Sequence, residues 1–246
     1  MICIPTRSVG TRKARKYAIG IGIEKSIATP IARQKYINMP NHTSDILIIF
    51  TRFPQPGTTK TRLGQQIGAE AAADCQRQMT EHIVAQARTL TQHQAIDLQI
   101  HYHGAEPGEM AAWLGDDLTY YHQANGDIGQ RMAAGFSIAW QRRDAKVILI
   151  GSDCPDISYD ILTTGFKILA RADLVLGPAQ DGGYYLIGMT RPHPELFNNI
   201  AWGTRQVMSQ TLDIAADHKL IVKQVITLHD IDRPEDLKYF RNYTRP

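Results

Sequence analysis

The sequence predicts a three-layer α/β/α domain on a mostly parallel sheet, spanning residues 45–246. Short, fully apolar runs at Ile46–Phe50 and Val147–Ile150 have the composition of strands buried on both faces. Stretches of helical periodicity alternate with the strands, and Gly/Pro/Asp-rich turns follow them. Ligands of such sheets bind beyond the carboxyl ends of the strands, so the turns that follow the strands are the places to look for chemistry.

The first strand, Ile46–Phe50, runs into a Pro/Gly loop, Phe53-Pro54-Gln55-Pro56-Gly57. A helix is predicted from about Ala69 to Leu90, where Met79, Ile83, Ala87 and Leu90 share one stripe. Ile96, Leu98, Ile100 and Tyr102 alternate with Asp97, Gln99, His101 and His103, the pattern of a half-buried strand that leaves both histidines exposed. Residues 128–141 read as a helix striped by Met132, Phe136 and Trp140, and residues 161–171 as another. Leu174–Leu176 and Tyr184–Met189 are short strands, residues 206–216 are helical, and residues 220–226 are extended. Pro234 in the first turn opens a closing helix over residues 234–241.

Charge divides the chain before this domain begins. Residues 1–44 hold eight Lys or Arg and one Glu, a net +7, which leaves −4 for residues 45–246 because the whole chain carries +3. The leader lacks periodicity and the apolar core of a secretory signal, so a disordered basic leader is expected there. The folded part has no basic excess to suit nucleic acid, and no run is long enough to span a membrane. Three cysteines without a CxxC pair or zinc spacing suit a reducing cytoplasm.

Five turns and one tryptophan carry candidate chemistry. After the first strand, Arg52, Lys60 and Arg62 surround a loop of threonines and Gly57, which can offer charges and backbone N–H groups to phosphate or form a solvated basic turn. After Val147–Ile150, Asp153 is placed either to bind a hard divalent cation or to cap a turn. Asp232, read as the end of a strand, offers a second carboxylate to the same cation. Gly182 and Gly183 would let backbone approach a ligand closely, and Asp181 beside them is a candidate general base, unless the run is a plain β-turn. Asp127 and Arg131 belong either to a substrate loop that presents them or to a turn capped by Asp127. Trp202 forms either an acceptor-side wall or ordinary packing.

The runs FTRFPQPGTTKTRL, QANGDIGQRM, GSDCPDI, GPAQDGGYYLIG, WGT and DIDRPEDL, in this order, resemble a bacterial family of glycosyltransferase-A-like transferases. They are more distantly similar to nucleotidyltransferases that make guanylylated or cytidylylated small molecules. The resemblance implies a nucleotide-diphospho-sugar transferase fold, with Asp153 and Asp232 as metal ligands for Mg²⁺ or Mn²⁺. It implies a nucleotide sugar or nucleoside triphosphate as partner, with a small-molecule acceptor. One departure is that a single glycine, Gly57, precedes Lys60, where the wider nucleotidyltransferases carry a glycine-rich loop. The activity expected is metal-dependent glycosyl transfer. The alternatives are nucleotidyl transfer to a small phosphorylated acceptor, with pyrophosphate release, and a non-catalytic nucleotide-binding module.

Overall fold

The computed structural model describes residues 44–141 and 145–240; the expected leader, apart from its last residue, and Cys3 lie outside them. Seven strands form one sheet: β1 (Asp45–Arg52), β2 (Ile96–His103), β3 (Thr119–His122), β4 (Val147–Gly151), β5 (Leu174–Pro178), β6 (Tyr184–Met189) and β7 (Val222–Gln224). Their order is β3-β2-β1-β4-β6-β5-β7. All neighbours are parallel except β6, which runs antiparallel to both β4 and β5. Two reversals cancel, so β1, β4 and β5 all point their carboxyl ends to one edge of the sheet. That edge carries the candidate residues.

The apolar run of β1 is explained by its two faces. Leu47 and Ile49 join one core with Ile83, Ala87 and Leu90 of α2 (Ala69–His93), which follows the short α1 (Thr61–Ile67). Ile46, Ile48 and Phe50 join the opposite core with Met132, Phe136 and Ala139, on the helix Ile128–Trp140. Met79, Ile83 and Leu90 are completely buried, each contributing about 1.5–3 kcal/mol of transfer free energy. A third, smaller cluster joins Leu63, Met79, Ile231 and Phe240, which fixes α1 and the chain's last turns against α2.

The remaining helices are α3 (Pro107–Leu114), α4 (Ile128–Trp140), α5 (Tyr159–Ile168), α6 (Val207–Asp217) and α7 (Leu237–Phe240), the last following a 3-10 turn at Pro234–Asp236. Neither α1 nor α3 stands out in the sequence, because both are short and α1 has no side-chain cap. Among the described residues no helix is long and apolar enough to cross a membrane.

Two expectations are corrected. His101 is not exposed on a half-polar strand: β2 is covered on both faces, and His101 and Gln99 are buried. The imidazole stacks on Phe50, with ring centroids 5.6 Å apart, and its Nε2 meets Gln99 Oε1 at 3.3 Å. Burial pushes its pKa down to about 3. Nor does Asp232 end a strand. It lies in an irregular segment beyond a single bridge at Leu228, pinned where the Ile231 N–H donates to the Asp153 carbonyl at 2.9 Å.

Candidate active site at the carboxyl edge of the sheet

The site begins with a strained residue. Lys60 closes the loop after β1 with φ 50° and ψ 45°, in the left-handed region, a conformation costing roughly 1–2 kcal/mol for a residue with a Cβ. The loop is braced by Thr59 Oγ1 donating to the Phe53 carbonyl at 2.8 Å and by Arg52 Nη1 donating to the Thr58 carbonyl at 2.8 Å. So held, Lys60 carries its ammonium inward until the side chain is only 5% exposed. Its Nζ reaches Asp153 Oδ1 at 2.8 Å and Asp232 Oδ1 at 3.1 Å, and Arg62 Nη1 adds a contact to Asp232 Oδ2 at 3.3 Å.

Burial alone would lower the Lys60 pKa, but the two carboxylates outweigh it and raise it above the ordinary value. Burial likewise pushes the Asp232 carboxyl up, while Lys60, Arg62 and Arg233 pull it down further. Two aspartates distant in sequence thus converge on one cation.

These residues form one wall of a cavity of about 320 Å³ lined also by Arg52, His103, Gln123 and Arg131. Gln123 is buried and fully engaged. Its Nε2 donates to the His101 and Thr51 carbonyls at 2.9 and 3.3 Å, and its Oε1 accepts from Arg131 Nη1 at 3.2 Å. Arg131 is thereby aimed at the cavity, with Arg52 close enough to depress its pKa after burial has done so. Behind Asp153 lies a closed hydroxyl network. Gln76 Nε2 donates to Ser152 Oγ at 2.8 Å and Thr80 Oγ1 at 3.1 Å, while Ser152 Oγ donates to Thr51 Oγ1 at 3.1 Å. It ties the ends of β1 and β4 to α2 and fixes the strand from which Asp153 projects. Sequence reading gives no role to Gln76, Ser152 or Gln123; Ser152 and Gln123 stand in the runs GSDCPDI and QANGDIGQRM, which invite attention, whereas Gln76 stands in none of the quoted runs.

A second cavity of about 220 Å³ adjoins the first through Ile128, Gly151 and Asp153. Asp181, Asp230, Tyr184 and Trp202 line it. The Asp181 carboxylate is exposed and accepts the Gly183 N–H at 2.8 Å. Burial and the neighbouring Asp181 push the Asp230 carboxyl up to about 6. Trp202 meets Tyr184 edge-on, with centroids 6.4 Å apart, and lies over Gly129 so closely that a Cβ there would stand 2.4 Å from its indole nitrogen.

The expected site residues therefore divide. Arg52, Lys60, Arg62, Arg131, Asp153 and Asp232 share the first cavity; Asp181 and Gly183 line the second. Gly57, Gly182 and Asp127 line neither. Gly57 turns the loop at φ 79°. Gly182 packs on the Arg205 backbone, where a Cβ would lie 2.5 Å from the carbonyl oxygen. Asp127 caps α4, accepting the Gln130 N–H at 2.8 Å.

Among the described residues no group of three or more His, Cys, Asp or Glu side chains gathers as a metal cage. The Asp153 and Asp232 pair nevertheless fits a hard cation that arrives with phosphate. Such ions take one or two carboxylates and complete their shell with phosphate oxygens and water, and here both carboxylates already share an ammonium.

Comparison with known proteins agrees with this architecture. The profile of a family described as "Uncharacterized protein conserved in bacteria (DUF2064)" matches residues 84–204. A candidate nucleotide-diphospho-sugar transferase from Desulfovibrio desulfuricans G20 is 30% identical, with 82% of this chain and 89% of that one covered and a TM-score of 0.73. The 4-diphosphocytidyl-2C-methyl-D-erythritol synthase from Anaerococcus prevotii DSM 20548 is 12% identical, covering 82% and 99% of the two chains, with a TM-score of 0.53. Rv0371C from Mycobacterium tuberculosis H37Rv, in complex with manganese, is 11% identical over 80% and 97%, with a TM-score of 0.50. At such low identity the last two show the fold alone. No curated protein matches the sequence.

Proposed function

This chain belongs to the bacterial DUF2064 family and shares the nucleotide-diphospho-sugar transferase fold, and from that premise we propose that it transfers a glycosyl group from a nucleotide-diphosphate sugar to a small acceptor. The observation that carries the reading is the Lys60–Asp153–Asp232 cluster in the cation-rich first cavity, with Asp153 shared by a second cavity that an exposed carboxylate lines.

In this reading the first cavity holds the nucleotide, with Arg52, Lys60, Arg62 and Arg131 as phosphate partners. Asp153 and Asp232 would hold Mg²⁺ or Mn²⁺, and the chemistry such an ion supplies when bound is neutralisation of charge on the departing diphosphate. Asp181, across the shared wall, takes the proton from the acceptor hydroxyl. The acceptor oxygen then bonds to the anomeric carbon as the bond from that carbon to the diphosphate oxygen breaks. The electron pair leaves with the nucleoside diphosphate, and Lys60 and Arg62 remain beside it.

The D. desulfuricans relative supports the reading through its own description as a candidate nucleotide-diphospho-sugar transferase. The synthase and the manganese complex share the fold alone with this chain.

The test is a thermal-shift screen of nucleotides and nucleotide sugars with and without Mn²⁺, followed by product analysis of the best donor. Ligands of the native state raise its apparent stability. A nucleotide sugar should stabilise the protein more with Mn²⁺ than without. Asp153→Asn and Asp232→Asn should each abolish that increment while the folded spectrum is retained. Turnover should release free nucleoside diphosphate. Pyrophosphate from a nucleoside triphosphate would establish nucleotidyl transfer instead, and binding without turnover across a broad acceptor panel would make the protein a nucleotide-binding module.

A further inference from the structure

The two cavities differ sharply in charge. The first is lined by Arg52, Lys60, Arg62 and Arg131 against Asp153 and Asp232. The second contains Asp153, Asp181 and Asp230, and none of the described residues lining it is Lys, Arg or His. Its other wall is aromatic: Trp202 stands edge-on to Tyr184, and its indole is seated on Gly129, which has no side chain to push it away. The clamp around it is rigid. The Met208 N–H donates to the Gly182 carbonyl at 2.9 Å, so the turn bearing Asp181 and the segment bearing Trp202 are fastened to each other.

We infer that the second cavity takes an unphosphorylated, hydroxyl-rich acceptor of the sugar or amino-sugar class, and that Asp181 and Asp230 exclude acceptors carrying phosphate. This rests on assigning the neighbouring cavity to the nucleotide. The physical reasons are three. Aromatic side chains lining a cavity beside carboxylates suit a ring that is apolar on its C–H face and hydroxylated at its edge. Two carboxylates with no lining cation accept hydroxyl or ammonium donors and repel a dianion. A volume of about 220 Å³ admits a single small ring. The asymmetry also serves the reaction, because a phosphorylated acceptor would otherwise compete for the cations of the donor cavity.

The test uses the full chain with ¹³C-methyl methionine, because buried Met132 lines the second cavity and not the first. Glucose, mannose and glucosamine are titrated beside their 6-phosphates, all in phosphate buffer so that the donor cavity's cations always meet an anion. The free sugars should shift the Met132 methyl resonance saturably, glucosamine at the lowest concentration. Each 6-phosphate should require at least tenfold more. In the Asp181→Asn/Asp230→Asn double variant the gap between glucosamine and its 6-phosphate should shrink severalfold, with an unchanged methyl spectrum of the free protein showing that the fold is intact. Equal or tighter binding of the 6-phosphates, or no shift of Met132 by any probe, overturns the inference. The nucleotide assignment is judged apart, by the Mn²⁺-dependent binding screen, in which no acceptor is present.

Discussion

The Lys60 ammonium lies 2.8 Å from the Asp153 carboxylate, held there by a left-handed backbone and shared with Asp232 at 3.1 Å. Lysine and a divalent cation therefore compete for the same oxygens. In the proposed reading a nucleotide would resolve the competition, its phosphates giving the ammonium a new partner while the cation takes the carboxylates. Lys60→Met keeps the side-chain length and removes the charge. It should strengthen Mn²⁺ binding in the absence of nucleotide, read by the loss of the free-ion EPR signal. It should also weaken nucleoside diphosphate binding by roughly 10- to 100-fold, the worth of one charge-assisted hydrogen bond. Mn²⁺ affinity equal to the parent's would show that Lys60 does not guard the site.

The buried His101 predicts a pH dependence of stability. Its folded-state pKa is about 3, against an ordinary 6.5. Between those values the unfolded chain binds a proton that the native protein refuses, so stability is present near neutrality and lost as pH falls from about 6.5 toward 3. The slope approaches about 1.4 kcal/mol per pH unit from this group. Urea unfolding of the parent and His101→Gln at pH 7 and 4.5 isolates it, since other carboxylates contribute to both proteins alike. The variant should lose less stability on acidification. Parallel losses would mean that the imidazole is not held neutral.

How far the sequence reveals this site follows from what burial and distance do to a pattern. The strands β1 and β4 are legible because both faces are apolar, so no polar residue interrupts the run. β2 is misleading because Gln99 and His101 are buried yet polar; Gln99 pairs with both His101 and Asp97, and periodicity cannot register that. Asp153 and Asp181 are legible by position, each following a strand end. Their environment is not. Lys60 and Asp232 are 172 residues apart and meet only through the fold. The role of Gly182 illustrates the same limit: a glycine needed for a ligand and one needed for a neighbouring backbone read identically.

That glycine supplies a third prediction. Gly182 has φ 93°, and a Cβ would lie 2.5 Å from the Arg205 carbonyl oxygen. Gly57 has φ 79° with no atom within 4 Å of its would-be Cβ. Gly57→Ala should therefore cost only the backbone strain, roughly 1 kcal/mol. Gly182→Ala must also push its turn away from the Arg205 backbone, with a loss on the order of 2–3 kcal/mol and a red-shifted Trp202 emission. Equal losses in chemical denaturation, with unaltered fluorescence, would show that the turn and the Arg205 segment separate freely.

The last prediction separates chemistry from donor binding. Asp181 is exposed, lines the second cavity, and is oriented by the Gly183 N–H at 2.8 Å. Asp153 and Asp232, by contrast, are joined to Lys60 in the first cavity. Asp181→Asn preserves shape and can still accept the Gly183 N–H through its amide oxygen, but it cannot take a proton. Donor affinity, measured by calorimetry with Mn²⁺, should stay within about twofold of the parent, because the proposed donor site is the first cavity, which Asp181 does not line. Turnover should fall by roughly 10²- to 10⁴-fold, as expected for loss of a positioned base. A KM effect without a kcat effect would make Asp181 a binding group for the acceptor, and loss of donor affinity would place it in the donor site. Unchanged turnover would return it to the turn it also forms, leaving Asp230 as the carboxylate of that cavity outside the Lys60 cluster.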